Sequence, residues 1–266
     1  LFIMIGLFFG ENQLPIEILK SLKKKKIKYF IIDLSKNNKF KKDKNSYFIN
    51  IGKFGKILDL IKLKKCNKVI FAGNIVKPTI SKLKLDLKGI YYIPRIIKAS
   101  KLGDAAILKE LINILSENKI KVIKLNTYNP ELTLGKGCHT KLKPSMTDKF
   151  TIKKGIEILK KSNSLNHVQA LVINNHKIIS FEKRKGTKDM LKSIRKNNLK
   201  NKLLLKMPKS KQDLRVDLPT IGLDTLKDCK KANIKGIVVK SGQNIFLDKQ
   251  EGLKFANKND IFVIAK

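Results

Sequence analysis

The sequence predicts an α/β protein of two domains, and three observations carry that expectation. Over the first half, short apolar runs alternate with amphipathic stretches, as expected of strands interleaved with helices in a mostly parallel sheet. In the second half, ALVINNHKIISFE sets two apolar runs on either side of an Asn-rich turn, the pattern of a hairpin, and further strands and helices follow it. Between the halves, NTYNPELTLGKGCHTKLKPSMTD has no sustained apolar period and is rich in Gly, Pro, Asn and Thr. It reads as a connection, giving an N-terminal domain over 1–129, a linker over 130–146 and a C-terminal α/β domain over 147–266.

Each element has its own signal. The opening LFIMIGLFF is apolar but about half as long as a membrane span requires, and it lacks a basic leader and a cleavage site, so it reads as a buried first strand. KYFIID, YFIN, KVIFAG and IKVIKL supply the other strands of the first domain. Between them, residues 14–26, 53–64 and 104–118 carry apolar residues at helical spacing. This alternation makes the first domain Rossmann-like. The second domain offers a helix over 147–162, the hairpin turning at Asn174 and Asn175, a helix over 187–196, the strand LLLK, and a helix over 221–232. GIVVK, NIFL, another helix and IFVIA complete a mixed sheet with helices. No internal repeat is present.

Composition narrows the function class. In 266 residues, 42% hydrophobic content is enough for one large core or two modest ones. The net charge of +38 draws anionic partners, yet the excess is nearly all lysine, spread from Lys20 to Lys266, with only four arginines. A nucleic-acid binder concentrates Arg and aromatic residues on one element, so no nucleic-acid partner is expected, although charge alone keeps that reading open. Cys66, Cys138 and Cys229 form no CxxC pair, which suits a reducing cytosol and neither a disulfide framework nor a zinc site.

There is no Walker loop, no GxGxxG and no nucleophile elbow, and His139, His167 and His176 read as solvated loop residues. The informative stretch is LLLKMPKSKQDLRVDLPTIG. Alternate residues of an extended chain point the same way, so Asp213, Arg215 and Asp217 would present two carboxylates and a guanidinium on one side, with Lys206 nearby. Close carboxylates repel unless a cation lies between them, and Mg²⁺ binds through one or two carboxylates plus phosphate oxygens. Arg215 could fork onto a phosphate. A salt-bridged surface loop is the plainer alternative. In SFEKRKGTKDML, Glu182 ends a strand, and Gly186, Thr187 and Asp189 open a helix that Thr187 would cap.

These residues resemble a known family. EKRKGTKDML and K-x-P-x-x-x-Q-D-x-R-x-D-L-P-T-I-G, with GNIVKP and LGD in the first half, are similar nearly end to end to the LpxI-type UDP-2,3-diacylglucosamine pyrophosphatases of lipid A biosynthesis. The resemblance implies a cytoplasmic hydrolase peripheral to the inner membrane of a Gram-negative bacterium, dimeric and Mg²⁺-dependent. Such an enzyme splits UDP-2,3-diacylglucosamine, a lipid-linked nucleotide sugar, into UMP and lipid X, with water attacking the sugar-side phosphate. By motif, Glu182, Gly186, Thr187, Asp189, Lys206, Gln212, Asp213, Arg215 and Asp217 fall on its strongest positions. On the chemistry of these side chains, Asp213 and Asp217 would hold or orient Mg²⁺, Arg215 and Lys206 would neutralise the diphosphate, and Glu182 or Asp189 would activate water. Gly10, Leu14, Pro15, Gly52, Gly73, Asn74, Lys77, Pro78, Gly103 and Asp104 match the family's first-domain positions. The chain departs from the family at Glu11 and Asn12, where consecutive glycines are usual, at Ala105, where a second Asp often stands, and at Asn166, where the family tends to have Asp. A nucleotide-sugar-binding module without catalysis is the alternative those changes allow. For the acyl chains, Tyr91, Tyr92, Ile93, Ile96 and Ile97 offer an apolar stretch that an ordinary helix would equally explain.

Overall fold

The computed structural model describes residues 4–75, 83–164, 168–210 and 212–266. The chain divides into two compact units, Leu1–Asn129 and Pro130–Lys266.

The first unit is a five-stranded parallel sheet. In chain order it runs β1 (Met4–Phe9), α1 (Leu14–Lys24), β2 (Lys28–Asp33), β3 (Ser46–Phe48), α2 (Phe54–Leu63), β4 (Lys68–Ala72), α3 (Leu87–Ser100), α4 (Asp104–Glu117) and β5 (Lys121–Val122). The strand order is β3-β2-β1-β4-β5, with every neighbour parallel. That is the doubly wound arrangement, in which the order reverses beside β1. Ile5, Leu7, Phe8 and Phe9 are all buried, as a central strand covered on both faces requires. The apolar opening is therefore a core strand.

The second unit is mixed. It comprises β6 (Gly137–Cys138), α5 (Met146–Ser164), β7 (Ala170–Asn174), β8 (Lys177–Phe181), α6 (Gly186–Ser193), β9 (Lys202–Lys206), β10 (Thr220–Ile221), α7 (Leu223–Lys231), β11 (Ile234–Val239), β12 (Ile245–Phe246), α8 (Lys249–Lys258) and β13 (Phe262–Ala265). The main sheet has the order β6-β13-β11-β9-β7-β8. Strands β13, β11 and β9 are parallel, and β6, β7 and β8 are antiparallel to their neighbours. A two-stranded parallel ribbon, β10-β12, accompanies it.

Strand alternation splits this core into two layers. Leu204 packs with Leu191, Leu226 and Cys229 on the side of α6 and α7, whereas Leu203, Leu205 and Met207 pack with Ile152 and Leu159 of α5 on the other. Lys206 therefore faces α6 and α7, and Met207 faces α5.

Two expectations are corrected. Residues 130–146 are part of the second unit: β6 pairs with β13, Leu134 lies in its core, and the Thr140 hydroxyl accepts from Val263 N at 2.9 Å. Isolated anchors of this kind leave no periodicity for a sequence pattern to show. The hairpin turns at Asn175 and His176, both at positive φ (41° and 67°), while Asn174 still pairs with Lys177. Two successive left-handed residues match the strand twist of a two-residue hairpin.

Candidate active site

The Glu182, Thr187 and Lys206 side chains form one hydrogen-bonded cluster at the carboxyl end of β9. Lys206 Nζ donates to Thr187 Oγ1 at 2.7 Å, and Thr187 Oγ1 donates to Glu182 Oε1 at 2.5 Å. The ammonium lies 3.9 Å from that same carboxylate oxygen. Both charged residues are only 7% exposed, a state tolerated when opposite charges are linked and hydrogen-bonded. Burial lowers the Lys206 pKa, and the negative charges of Glu182 and Asp217 offset part of that fall. Asp217, after the turn that follows β9, is exposed.

Local backbone sets these positions. Glu182 follows β8 and donates its N–H to Ala170 O at 2.9 Å, still continuing the ladder. The chain then turns tightly, with Gly186 N donating to Lys183 O at 2.9 Å. Gly186 has φ +85° with open space where a Cβ would stand, so backbone freedom alone selects glycine there. Thr187 does not cap α6 as its residue type suggested; its hydroxyl bridges Lys206 and Glu182. Asp189 is exposed in the first turn of α6. Asn244, which has no motif to announce it, is 2% exposed and donates to Lys206 O at 3.0 Å, fixing the end of β9.

The expected extended run from Asp213 to Asp217 is instead a turn. Val216 N and Asp217 N both donate to Asp213 O, at 3.1 and 3.0 Å. The Asp213 carboxylate accepts from Arg215 N at 3.0 Å and from the Arg215 guanidinium at 2.6 to 3.1 Å. An aspartate that can bond its own backbone two residues on favours such a turn over a strand. Arg215's fork holds the Asp213 carboxyl below its ordinary range, against the upward push of burial. Gln212 belongs to the preceding turn, where its Oε1 accepts from Lys209 N at 2.9 Å.

This donor set bears on Mg²⁺. Among the described residues, no group of three or more His, Cys, Asp and Glu side chains converges as a metal cage. A magnesium ion bound largely through substrate phosphates needs only one or two carboxylates. The exposed Asp217 fits that requirement, whereas Asp213 fits it only after releasing Arg215.

In the first unit, Gly10, Leu14, Pro15, Gly73 and Asn74 gather where the strand order reverses between β1 and β4. Glu11 N donates to Asn74 O at 2.8 Å, and Gly10 N donates to Ala72 O at 3.0 Å. A Cβ on Gly10 would lie 2.4 Å from Asn74 O, and one on Gly73 would lie 2.3 Å from Glu11 O. Main chain thus meets main chain at the place where ligands of open parallel sheets bind. Asn12 has φ +73°, and its Oδ1 accepts from Leu14 N at 3.0 Å. Pro15 is buried in the first turn of α1. Asp104 is exposed at the start of α4, and Lys77 and Pro78 lie outside the described residues, as do Asn166 and His167. The α3 stretch is a helix tied to its neighbours. Tyr92 packs edge-on against Phe54, and Arg95 pairs with Glu110 and Glu117 of α4.

Comparison with known proteins covers both units. Residues 4–132 match the model of the LpxI N-terminal domain, and residues 135–264 match that of the LpxI C-terminal domain. The chain is 29% identical over 224 residues to the UDP-2,3-diacylglucosamine pyrophosphatase LpxI of Caulobacter vibrioides, covering 81% of this chain and 80% of that protein. With a doubly wound first unit, a mixed second unit and matches to both domain models, this chain belongs to the LpxI family.

Proposed function

We propose that the protein hydrolyses UDP-2,3-diacylglucosamine to UMP and lipid X; its Caulobacter relative is named a pyrophosphatase of that substrate. The observation that carries this reading is the buried Lys206–Thr187–Glu182 cluster at the end of β9. A fixed cation of this kind supports a role against a diphosphate.

Water attacks the sugar-side phosphorus as Glu182 or Asp189 takes its proton. The water oxygen stays with lipid X, the bond to the bridging oxygen breaks, and UMP leaves carrying that oxygen. Phosphate anhydrides hydrolyse slowly unaided, and a general base supplies only about 10² to 10⁴ of acceleration. Charge stabilisation and positioning must provide the larger share. Lys206 neutralises a diphosphate oxygen, and Thr187 and Glu182 hold its ammonium in place. Arg215 transfers its fork from Asp213 to the substrate, which frees that carboxylate to join Asp217. Asp217 and the freed Asp213 would hold Mg²⁺, which when bound polarises phosphoryl oxygens and offsets their charge. Cytoplasmic work at the inner-membrane surface, as a homodimer, completes the reading. No described helix is long and apolar enough to cross a membrane.

The test is UMP release from UDP-2,3-diacylglucosamine, with and without Mg²⁺, by the wild-type protein and Asp217→Ala. Wild type should be Mg²⁺-dependent, and the variant should lose at least about 10²-fold in kcat with its fold retained. Near wild-type turnover by Asp217→Ala would remove that carboxylate from the mechanism. No release by the wild-type protein would refute the reading.

A further inference from the structure

Where β9 and β11 end, a single side chain enters their ladder. Lys206 and Val239 are the last paired residues of these parallel strands, and Met207 N turns the other way, donating to Gln169 O just before β7 at 2.8 Å. The Lys206 carbonyl therefore faces β11, where a regular ladder would bring it the Lys240 N–H. Instead, Lys240 N donates to Asn244 Oδ1 at 2.9 Å, and Asn244 Nδ2 donates to Lys206 O at 3.0 Å. A carboxamide carries both an acceptor and donors, so it fits between the two strand ends as an inserted peptide group would. An aliphatic side chain there would leave both backbone groups unpaired in a buried place.

The next residue extends the contact. Ile245 N donates to Pro219 O at 2.9 Å and opens β12, which pairs with Thr220 and Ile221 of β10. Asn244 and Ile245 thus hold the two ends of the segment 207–218, one at Lys206 and the other at Pro219. That segment carries Gln212, Asp213, Arg215 and Asp217. We propose that Asn244 is a positioning residue for the hydrolysis: its amide closes the base of this loop and sets where the Lys206 ammonium stands relative to it. The assignment rests on the hydrolase reading above. Asn244 reaches Lys206 through the main-chain carbonyl, so its effect on the reaction passes through the backbone at the end of β9 and needs no contact with substrate.

Two variants of the full chain test this. Asn244→Ala removes the clasp, and Asn244→Ser keeps the place polar with a hydroxyl too short to span both backbone groups. UMP release from UDP-2,3-diacylglucosamine, assayed below the unfolding midpoint of each variant, should show kcat lowered by about tenfold to a hundredfold with KM nearly unchanged, because a small misplacement near the reacting centre carries a cost of that order. The second readout needs no turnover. With isotope-labelled lysine in the protein, the NMR signal of the Lys206 methylene beside the ammonium is identified by its loss in Lys206→Met. In both Asn244 variants that signal should move toward the position shared by the exposed lysines. A role in stability alone would lower the unfolding midpoint while leaving kcat and the Lys206 signal in place, and that result would overturn the assignment. If the wild-type protein releases no UMP, the hydrolase reading fails on its own. The Lys206 signal then decides the role of Asn244, and an unmoved signal would refute it.

Discussion

Thr187 shows what a single residue can conceal. Its type and place before an amphipathic run announce a helix cap, and only the fold reveals that its hydroxyl is spent between Glu182 and Lys206. Lys206 and Glu182 were legible as motif positions; their meeting across β8 and β9 depends on sheet pairing that no local pattern encodes. Thr187→Val should remove the bridge, destabilise the protein by about 1 to 3 kcal/mol and lower kcat more than it raises KM, whereas Thr187→Ser should restore both. Denaturant melts with single-turnover assays would check this. Asn12 behaves in the opposite way. The sequence made it a worrying substitute for glycine, yet Asn is among the side chains best suited to left-handed backbone, and Asn12 uses its amide oxygen locally. Asn12→Gly should therefore change stability by no more than a few tenths of a kcal/mol, and Asn12→Val should cost about 1 to 3 kcal/mol by thermal unfolding.

Helices and strands with strong periodicity were readable to within a few residues, as α1, α2 and α4 show against expected spans of 14–26, 53–64 and 104–118. Elements made by isolated contacts were not. Two-residue strands such as β6 have no period, and the turn at Asp213 to Asp217 is decided by one carboxylate choosing its own backbone and Arg215. Asp86 is another such element-level device. Its carboxylate accepts from Gly89 N at 2.8 Å at the start of α3, and from Gly55 N and Lys56 N, both at 3.1 Å, at the start of α2. Burial pushes its pKa up, but those three N–H groups more than offset the push and hold it below its ordinary 3.8. A depressed folded-state pKa gives stability that is present above the unfolded value and lost as pH falls through the folded one. Asp86→Ala should cost about 1 to 2 kcal/mol at neutral pH and should flatten the loss of stability below about pH 4, measured by urea melts across pH.

For the whole molecule, the sequence conveyed two α/β units because hydrophobic rhythm changes between the halves. The first unit ends at Asn129, and the linker expected over 130–146 instead joins the second unit through scattered anchors. Family membership was legible because long motifs around Glu182 and Asp217 are strings of specific residue types. The charge of +38 was legible as a number and silent about its partner. Under the proposed work at a lipid surface, the protein should sediment with vesicles containing phosphatidylglycerol and not with neutral ones, and about 0.5 M salt should release most of it, since screening shortens the reach of exposed charge to a few ångströms. Equal binding to neutral vesicles would point to apolar insertion.

Lys206 and Met207 are adjacent in the chain but serve opposite sides of one sheet. Loss of one residue from β9 would deliver a thioether to Thr187 and drop an ammonium among aliphatic side chains, inverting both compartments at a stroke. Substitution can retune either side of that strand, but a one-residue change in its length inverts both.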